Sequence, residues 1–173
     1  MKNKTRKVLA VASGGGHWTQ LMRLQPAFEN VHVTYITVRH AYQDDVPGAD
    51  FHVVQDATRW NKFAMLLQIL QISWLLIRIR PDCIVTTGAA PGYWALRIGK
   101  LFGVKSCWID SIANVEAISM GGQLAAKHAD LMLTQWADLV VNTGTEFHGS
   151  VIEGVGSSQR GELNGHSSTP GCS

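Results

Sequence analysis

The chain has 173 residues, of which 46% are hydrophobic and 16% are charged, and its formal net charge is +2. This length suits one compact domain and is too short for two large domains, while the composition argues against disorder over most of the chain. The basic residues are scattered, which excludes the concentrated stripe typical of nucleic-acid binding. Three widely separated cysteines without C-x-x-C spacing predict neither a disulfide framework nor a zinc site, and therefore favour a reducing, cytoplasmic setting.

Strands and helices alternate along the sequence. Short apolar or alternating runs bounded by glycine, proline or polar residues predict strands, and apolar residues at helical spacing predict helices. In chain order the predicted elements are a strand at 8–12, a helix spanning 21–28, strands at 31–38 and 50–54, a helix at 60–79, a strand at 83–86, a helix at 93–102, a strand at 104–109, a short helix ending at 129 and a last strand at 131–134. The first strand is too short for a signal peptide or a membrane span.

This order of elements predicts an α/β fold with a Rossmann-like parallel sheet, right-handed crossovers and helices on both faces. From residue 153 onward large apolar residues nearly vanish, while glycine and serine become frequent. We therefore expect a folded domain at 1–152 and a disordered Gly/Ser-rich tail at 153–173.

A glycine loop, Ser13-Gly14-Gly15-Gly16, follows the first predicted strand and leads into a helix. Loops at this position of an open α/β sheet bind ligands, and the amides of the following helix can hold an anion. Neither a G-x-G-x-x-G nor a Walker A pattern is present, because Thr19 stands where the third glycine would be and no Gly-Lys-Ser/Thr follows. A tight strand-to-helix turn without a ligand is the alternative. His17 follows this loop, and an imidazole there could take a proton from a bound hydroxyl group.

Several common catalytic patterns are absent from the sequence. It contains no H-E-x-x-H, no paired histidines and no Asp-x-Asp triplet, which favours chemistry without a metal ion. No G-x-S-x-G accompanies Ser13, which weakens a hydrolase interpretation. We expect neither a metal nor a cofactor.

Five sequence blocks occur in one order and together resemble a known family. They are 8–16 followed by His17, 86–92, 108–111, 129–131 and 134–136. The chain resembles, over roughly residues 6–152, the family that contains the membrane-anchoring subunit of the eukaryotic dolichol-linked N-acetylglucosaminyltransferase and its bacterial exopolysaccharide counterparts. The resemblance implies the N-terminal half of a GT-B glycosyltransferase, whose nucleotide sugar, expected to be a UDP-sugar, is bound by a separate partner chain.

The same resemblance implies an acceptor site. Sugar would be transferred to a polyprenyl-diphosphate-linked saccharide in oligosaccharide or exopolysaccharide biosynthesis, at the cytoplasmic face of the membrane. The implied acceptor-binding residues are Ser13, Gly14, Gly15, Gly16, Gly88 and Gly92, and the implied catalytic residues are His17 and Asp110. Asp110 stands where family members often carry glutamate, so that either His17 or Asp110 is the base. A helix N-cap is the alternative role for Asp110.

The predicted helix at 60–79 has a broad apolar face and a narrow polar stripe of Asn61, Gln68, Gln71 and Arg78. Basic residues flank its apolar part, as expected for a helix that lies peripherally in an anionic membrane interface. Packing of the apolar face against the sheet is the alternative. The residues assigned to membrane contact are Arg59, Lys62, Trp74, Arg78 and Arg80.

The end of the predicted domain is expected to contact the partner chain. The residues assigned to that interface are Trp136, Phe147 and Val151. Two other functions stay open from the sequence. The chain could be a non-catalytic membrane scaffold for a separate catalytic subunit, or a small nucleotide-sugar enzyme such as an epimerase, which the missing second domain disfavours.

Overall fold

A computed structural model describes residues 5–58 and 60–151, apart from the side chains of residues 142 and 143. The strands are β1 (Lys7–Val11), β2 (His32–Thr37), β3 (Asp50–Val53), β4 (Cys83–Thr86), β5 (Lys105–Ile109), β6 (Leu131–Thr134) and β7 (Glu146–Phe147). The helices are α1 (Gly16–Met22), α2 (Lys62–Ile79), α3 (Ala89–Leu101), α4 (Met120–Ala125) and α5 (Val140–Thr143), with 3-10 turns at Gln25–Phe28, His40–Asp45 and Ala137–Leu139. Residue 59 and the predicted tail at 153–173 lie outside the described residues.

All seven of these strands are parallel and form one sheet in the order β3-β2-β1-β4-β5-β6-β7. The predicted Rossmann-like α/β fold is therefore confirmed. Strand β1 lies between β2 and β4, with Val11 paired to Ile36 on one side and to Thr86 on the other. The chain builds outward in one direction from β1 to β3 and in the other direction from β4 to β7. The resulting switch point, where open α/β sheets bind ligands, lies between β1 and β4.

Helices cover both faces of the sheet, because the central strands are apolar on both sides. The larger core lies under α2 and α3 and includes Leu9, Val11, Ile36, Ile72, Ile84, Leu96 and Trp108. The smaller core lies under α1 and the His40–Asp45 turn and includes Ala10, Ala12, Trp18, Leu21, Tyr35 and Val46. The two cores fix the carboxyl ends of β1 and β4 between them, which positions the loops that follow these strands.

Several predicted boundaries differ from the observed ones for local reasons. The helix predicted over 21–28 ends at Met22, and a 3-10 turn with Pro26 near its start follows. Helix α3 begins at Ala89, so the predicted 88–92 turn is the start of that helix; Pro91 is tolerated there because the first-turn amides have no helical acceptor. The expectation that 131–134 is the last strand is wrong, since β7 has only two residues and carries no periodic signal.

The orientation of α2 is the main departure from the sequence-based expectation. Its buried residues are Ala64, Gln68, Ile72, Leu75 and Leu76. Gln68 is fully buried and donates from Nε2 to the Gln55 carbonyl at 2.7 Å, while Gln71 accepts from the Gln55 amide at 2.7 Å. The predicted polar stripe is therefore wrong at Gln68, which faces inward because the chain after β3 has backbone groups that need partners. The broad apolar face does not pack against the sheet: Phe63, Leu66, Leu67, Leu70, Trp74 and Ile77 are all exposed.

Candidate functional site: a crevice at the strand switch point

Three loops meet at the carboxyl edge of the sheet. They follow β1, β4 and β5, which are neighbours or next neighbours in the strand order, and they carry the glycine loop, Gly88 and Asp110. Because parallel strands end at the same edge, the structure brings together residues that lie almost 100 positions apart in sequence. His17 lies in the first turn of the helix after the first of these loops, Gly88 lies in the second and Asp110 directly follows β5, so all three residues lie at this edge of the sheet, which we call the switch-point crevice.

The glycine loop turns sharply before α1. Gly15 has φ +59°, in the left-handed region that favours glycine, and caps the helix. Its amide donates to the Tyr42 hydroxyl at 2.9 Å, and a Cβ on Gly14 would lie 3.3 Å from Arg39 Nε. Sequence reasoning missed Arg39 and Tyr42, which follow β2 and lie beside the loop. Ser13 is partly buried, and its carbonyl accepts a hydrogen bond from Thr37 Oγ1.

His17 is held by a reciprocal pair of hydrogen bonds with the loop after β4. Its Nδ1 lies 2.7 Å from the Thr87 carbonyl oxygen, and Thr87 Oγ1 donates to the His17 carbonyl at 2.7 Å. A carbonyl oxygen can only accept, so Nδ1 carries the proton. In the neutral imidazole, Nε2 then holds the free lone pair, which is the arrangement that a general base requires.

Gly88 and Gly92 have different surroundings. Gly88 has φ +122°, and a Cβ there would lie 3.0 Å from His17 Cε1 and 3.4 Å from Trp108 Cζ2. Because Gly88 has no side chain, the His17 ring can lie directly against its backbone. Gly92 faces β4 instead, since a Cβ would lie 2.0 Å from Thr86 Oγ1. The structure therefore places Gly92 in the packing of α3 on the sheet, away from the crevice surface.

The Asp110 carboxylate is only 2% exposed and is surrounded by donors. Oδ1 accepts from Trp108 Nε1 at 3.1 Å and from the Ser119 hydroxyl. Oδ2 accepts from the Ser119 amide at 2.9 Å and from Asn114 Nδ2 at 3.1 Å. Asp110 is not a helix N-cap: Ser119 caps α4, and Asp110 holds Ser119. Gly122 leaves room for this contact, since a Cβ there would lie 2.8 Å from Oδ1.

The outward surface of α2, α3 and α4 combines apolar and basic side chains. Helix α2 is long and apolar enough to cross a membrane by length and composition, and five of its 18 residues are buried. Its Trp74 is 56% exposed, and the Arg78 guanidinium lies 5.2 Å from the Trp74 ring centroid. Lys62, Arg78 and Arg80 are all exposed, whereas Arg59 lies outside the described residues. None of these three helices contains an aspartate or a glutamate.

The residues predicted at a partner interface lie at or near the β7 edge of the sheet. Phe147 is in β7 and is partly buried. Trp136 is partly buried, with its indole Nε1 donating to the Ile112 carbonyl at 3.0 Å, and the Val151 amide donates to Gln135 Oε1 at 3.0 Å. Trp136 thus also supports the loop after β5.

Two thiols and one imidazole have displaced pKa values. Burial raises the pKa of the Cys107 thiol to about 12, and burial together with the Asp130 charge raises the pKa of Cys83. Burial and three neighbouring cations lower the pKa of His128. The two thiols are therefore protonated near neutral pH and are weak nucleophiles. Across 5–58 and 60–151 there is no cluster of three histidine, cysteine or acidic residues that could hold a metal ion.

The fold defines the class: a Rossmann-like parallel sheet that forms the N-terminal half of a GT-B fold. The family resemblance seen in the sequence is also confirmed. The chain is 25% identical to the mouse UDP-N-acetylglucosamine transferase subunit ALG14, over 77% of this chain and 76% of the mouse protein. No family model matches the chain.

Two solved structures illustrate the likeness in fold. MurG of Acinetobacter baumannii is 11% identical with a TM-score of 0.64, and the match covers 78% of this chain and 43% of MurG. UDP-N-acetylglucosamine 2-epimerase from Rickettsia bellii is 12% identical with a TM-score of 0.65, over 86% of this chain and 46% of the epimerase. At these identities the likeness shows the fold alone. The chain spans less than half the length of both proteins.

Proposed function

We propose that this chain is the acceptor-binding and membrane-recruiting subunit of a heteromeric glycosyltransferase. The enzyme would transfer a sugar from a nucleotide sugar to a polyprenyl-diphosphate-linked saccharide. The observation that carries this proposal is the His17 imidazole, whose protonated Nδ1 is fixed on Thr87 at the edge of the switch-point crevice. Similarity to a protein described as a transferase subunit supports both the reaction class and the use of a second chain.

The acceptor diphosphate is assigned to the glycine loop. Gly15 and Gly16 are exposed, and no atom beyond their neighbours in the chain would lie within 4 Å of a Cβ on either. This leaves room for a phosphate to approach the backbone. Arg39 lies beside the loop and supplies a cation for the phosphate charge. Tyr42 is close enough to contact the same group through its hydroxyl.

The nucleotide sugar is assigned to the partner chain. Proteins with the same fold are more than twice as long as the segment matched here, so this chain corresponds to one half of them. In a GT-B enzyme the reaction occurs between two such halves. Trp136, Phe147 and Val151 form the proposed partner contact, which should bury well over ~1,000 Å² in total if the pair is obligate.

The proposed reaction is a direct displacement. The acceptor hydroxyl oxygen bonds to the anomeric carbon of the donor sugar while the bond from that carbon to the nucleotide diphosphate breaks. His17 Nε2 accepts the hydroxyl proton, and the nucleotide diphosphate leaves with the bonding electron pair. Asp110 is assigned an orienting role, because its two oxygens already accept four hydrogen bonds inside the protein. His17 is thus the proposed base, and Asp110 is proposed as a positioning residue that organises the adjoining loop.

Membrane recruitment is assigned to the exposed face of α2. A helix with an apolar face and basic flanking residues binds at an anionic membrane interface, because its apolar side chains are buried among the lipids and its cations are attracted to the anionic headgroups. The absence of acidic residues from α2, α3 and α4 extends the favourable electrostatics beyond α2 itself. The proposed site is peripheral and on the cytoplasmic face, with Lys62, Trp74, Arg78 and Arg80 in contact with lipid. Arg59 completes the proposed set from outside the described residues.

The catalytic proposal is tested by two substitutions of His17 in the purified pair. His17→Ala should lower transfer by about 10²–10⁴-fold, the range expected for loss of a general base. His17→Asn is the more informative variant, because the asparagine amide nitrogen can donate the hydrogen bond to the Thr87 carbonyl in place of Nδ1, while the side chain supplies no base. Equal losses in both variants support catalysis by His17. Full activity of His17→Asn would assign the histidine to structure alone.

The runner-up function is a non-catalytic scaffold that recruits a complete enzyme to the membrane. It is favoured by the size of the exposed apolar surface on α2. The same His17 variants separate the two functions when complex formation is measured by co-purification. A scaffold would tolerate both substitutions, whereas a shared active site would lose transfer with the complex intact.

The membrane proposal is tested by flotation with liposomes that contain phosphatidylglycerol. Arg78→Glu should reduce binding, and salt should release the wild-type protein. Arg23→Glu is the matched control, since it makes the same charge change just after α1, on the opposite face of the sheet. Equal flotation of Arg78→Glu, Arg23→Glu and wild type would count against this surface.

A further inference from the structure

Gln20 is a buried polar residue of α1 that none of the assigned roles uses. Its side chain is 3% exposed, and it lies three residues after His17. Residues at this spacing share one face of a helix. His17 reaches the loop after β4, whereas Gln20 reaches the loop after β5. Helix α1 therefore bridges two of the three loops that form the crevice.

Both ends of the Gln20 amide bind the backbone of the loop after β5. Nε2 donates to the Asp110 carbonyl at 2.9 Å, and Oε1 accepts from the Ile112 amide at 3.2 Å. One side chain thus supplies a donor and an acceptor to the same stretch of chain, as a neighbouring strand would. Because both ends are occupied, the loop has one preferred position relative to α1.

The loop held in this way is the one organised by Asp110. The carbonyl of Ile112 accepts from Trp136, and the Asp110 carboxylate binds Asn114 and Ser119 farther along. Through its two hydrogen bonds, Gln20 links this segment to the helix that carries His17. Without it, α1 would keep its bond to Thr87 but lose its bonds to the loop after β5.

We propose that Gln20 is a positioning residue of the transferase site, which sets the distance between the His17 base and the loop after β5 that borders the acceptor. This role rests on the proposed function. It acts through the backbone of residues 110 and 112 and requires no contact with substrate. Its loss should slow the chemical step while leaving substrate binding nearly unchanged.

The test compares two identical substitutions in the purified pair. Gln20→Met removes both hydrogen bonds while keeping the side-chain length. Gln68→Met is the matched control, because Gln68 is equally buried and also bonds a backbone carbonyl, but on α2, which packs with the larger core. The assay uses UDP-N-acetylglucosamine and a short polyprenyl-diphosphate N-acetylglucosamine in detergent micelles, so that membrane binding does not contribute.

Gln20→Met should lower kcat by about 10–100-fold with both KM values within about twofold, as expected for a misplaced base. Gln68→Met should leave kcat unchanged at any temperature where it is folded. Amide exchange should show faster exchange of the Ile112 amide in Gln20→Met than in Gln68→Met.

A third variant, Gln20→Glu, adds a pH readout. A neutral carboxylic acid can still donate to the Asp110 carbonyl and accept from Ile112, whereas a carboxylate cannot donate. The activity of Gln20→Glu relative to wild type should therefore fall as the pH rises, whereas the activity of Gln20→Met relative to wild type should stay constant with pH.

Equal kcat values for Gln20→Met and Gln68→Met in an active pair would overturn the positioning role and leave the proposed function intact. A rise in KM with unchanged kcat would overturn it in favour of a binding role. An inactive wild-type pair, tested with a panel of nucleotide sugars, would overturn the proposed function and this role together.

Discussion

Replacing Gly92 by alanine should damage the crevice indirectly, by pushing α3 away from β4. A Cβ at this position would lie 2.0 Å from Thr86 Oγ1 and 3.1 Å from Thr86 Cβ. Both residues are buried in the central part of the fold, so that neither can swing into solvent. Thr86 Oγ1 also accepts a hydrogen bond from the Gly88 amide at 3.1 Å, which links the clash to the residue that contacts His17.

The expected magnitude follows from these contacts. Overpacking of a core costs roughly 1–3 kcal/mol, and a contact this short belongs at the upper end. Loss of the hydrogen bond to Gly88 adds about 1 kcal/mol, while the better helix propensity of alanine returns up to about 1 kcal/mol. Gly92→Ala should therefore destabilise the fold by ~3 kcal/mol, which lowers Tm by roughly 6–12 °C in a domain of this size.

Urea unfolding followed by circular dichroism measures this effect. Gly99→Ala in the same helix is the matched control, since its Cβ would meet the flexible end of Ile84, Cδ1, at 2.3 Å and should cost less. The decisive comparison is a cycle with Thr86→Ala, which removes the clashing oxygen. Gly92→Ala should cost at least about 1 kcal/mol less in that background. Additive effects in the cycle, or equal losses from Gly92→Ala and Gly99→Ala, would refute the packing argument.

Three further outcomes are expected. Arg39→Ala should raise the acceptor KM by about tenfold and weaken its salt dependence with little change in kcat, whereas unchanged kinetics would remove Arg39 from the diphosphate site. Cys107 should react with maleimide at pH 8 about 10³-fold more slowly than an ordinary thiol, because burial raises its pKa to about 12; rapid labelling of the folded protein would contradict this. Burial alone would raise the pKa of Asp130, but hydrogen bonds from Ser106 and Lys105 lower it overall. The unfolded chain then binds the proton more tightly, so the stability difference between wild type and Asp130→Asn should be present above about pH 4 and shrink as the pH falls, which unfolding titrations would show.

The first six strands of this fold are predictable because their signals are local, whereas the two-residue β7 is not. The runs that form β4 and β6 are apolar, short and bounded by proline, glycine or polar residues, and their predicted limits agree with the observed ones. Helix periodicity is local as well, so Pro81 and the apolar residues that precede it are enough to predict α2. The direction in which α2 faces is a different matter. Periodicity identifies the faces of a helix, but the inward orientation of Gln68 is recognisable only once the fold places the Gln55 carbonyl, its hydrogen-bond acceptor, beside it.

The residues of the proposed site differ in how far the sequence alone can indicate them. The glycine loop and His17 lie next to one another in sequence and carry a recognisable pattern. Arg39 and Tyr42 follow a different strand, and they reach the loop only because β2 and β1 are adjacent in the sheet. Asp110 follows β5, as predicted, but most of its hydrogen-bond donors come from the segment between β5 and α4, whose irregular conformation leaves no periodic signal in the sequence.

The outward apolar face of α2 has a consequence for the solution behaviour of the isolated chain. A newly folded molecule presents Phe63, Leu66, Leu70 and Trp74 to water, and contiguous apolar surface of this kind promotes self-association. If α2 binds lipid as proposed, membrane binding would also cover this surface and so limit self-association. Purification without detergent or lipid should therefore yield oligomers whose size increases with protein concentration.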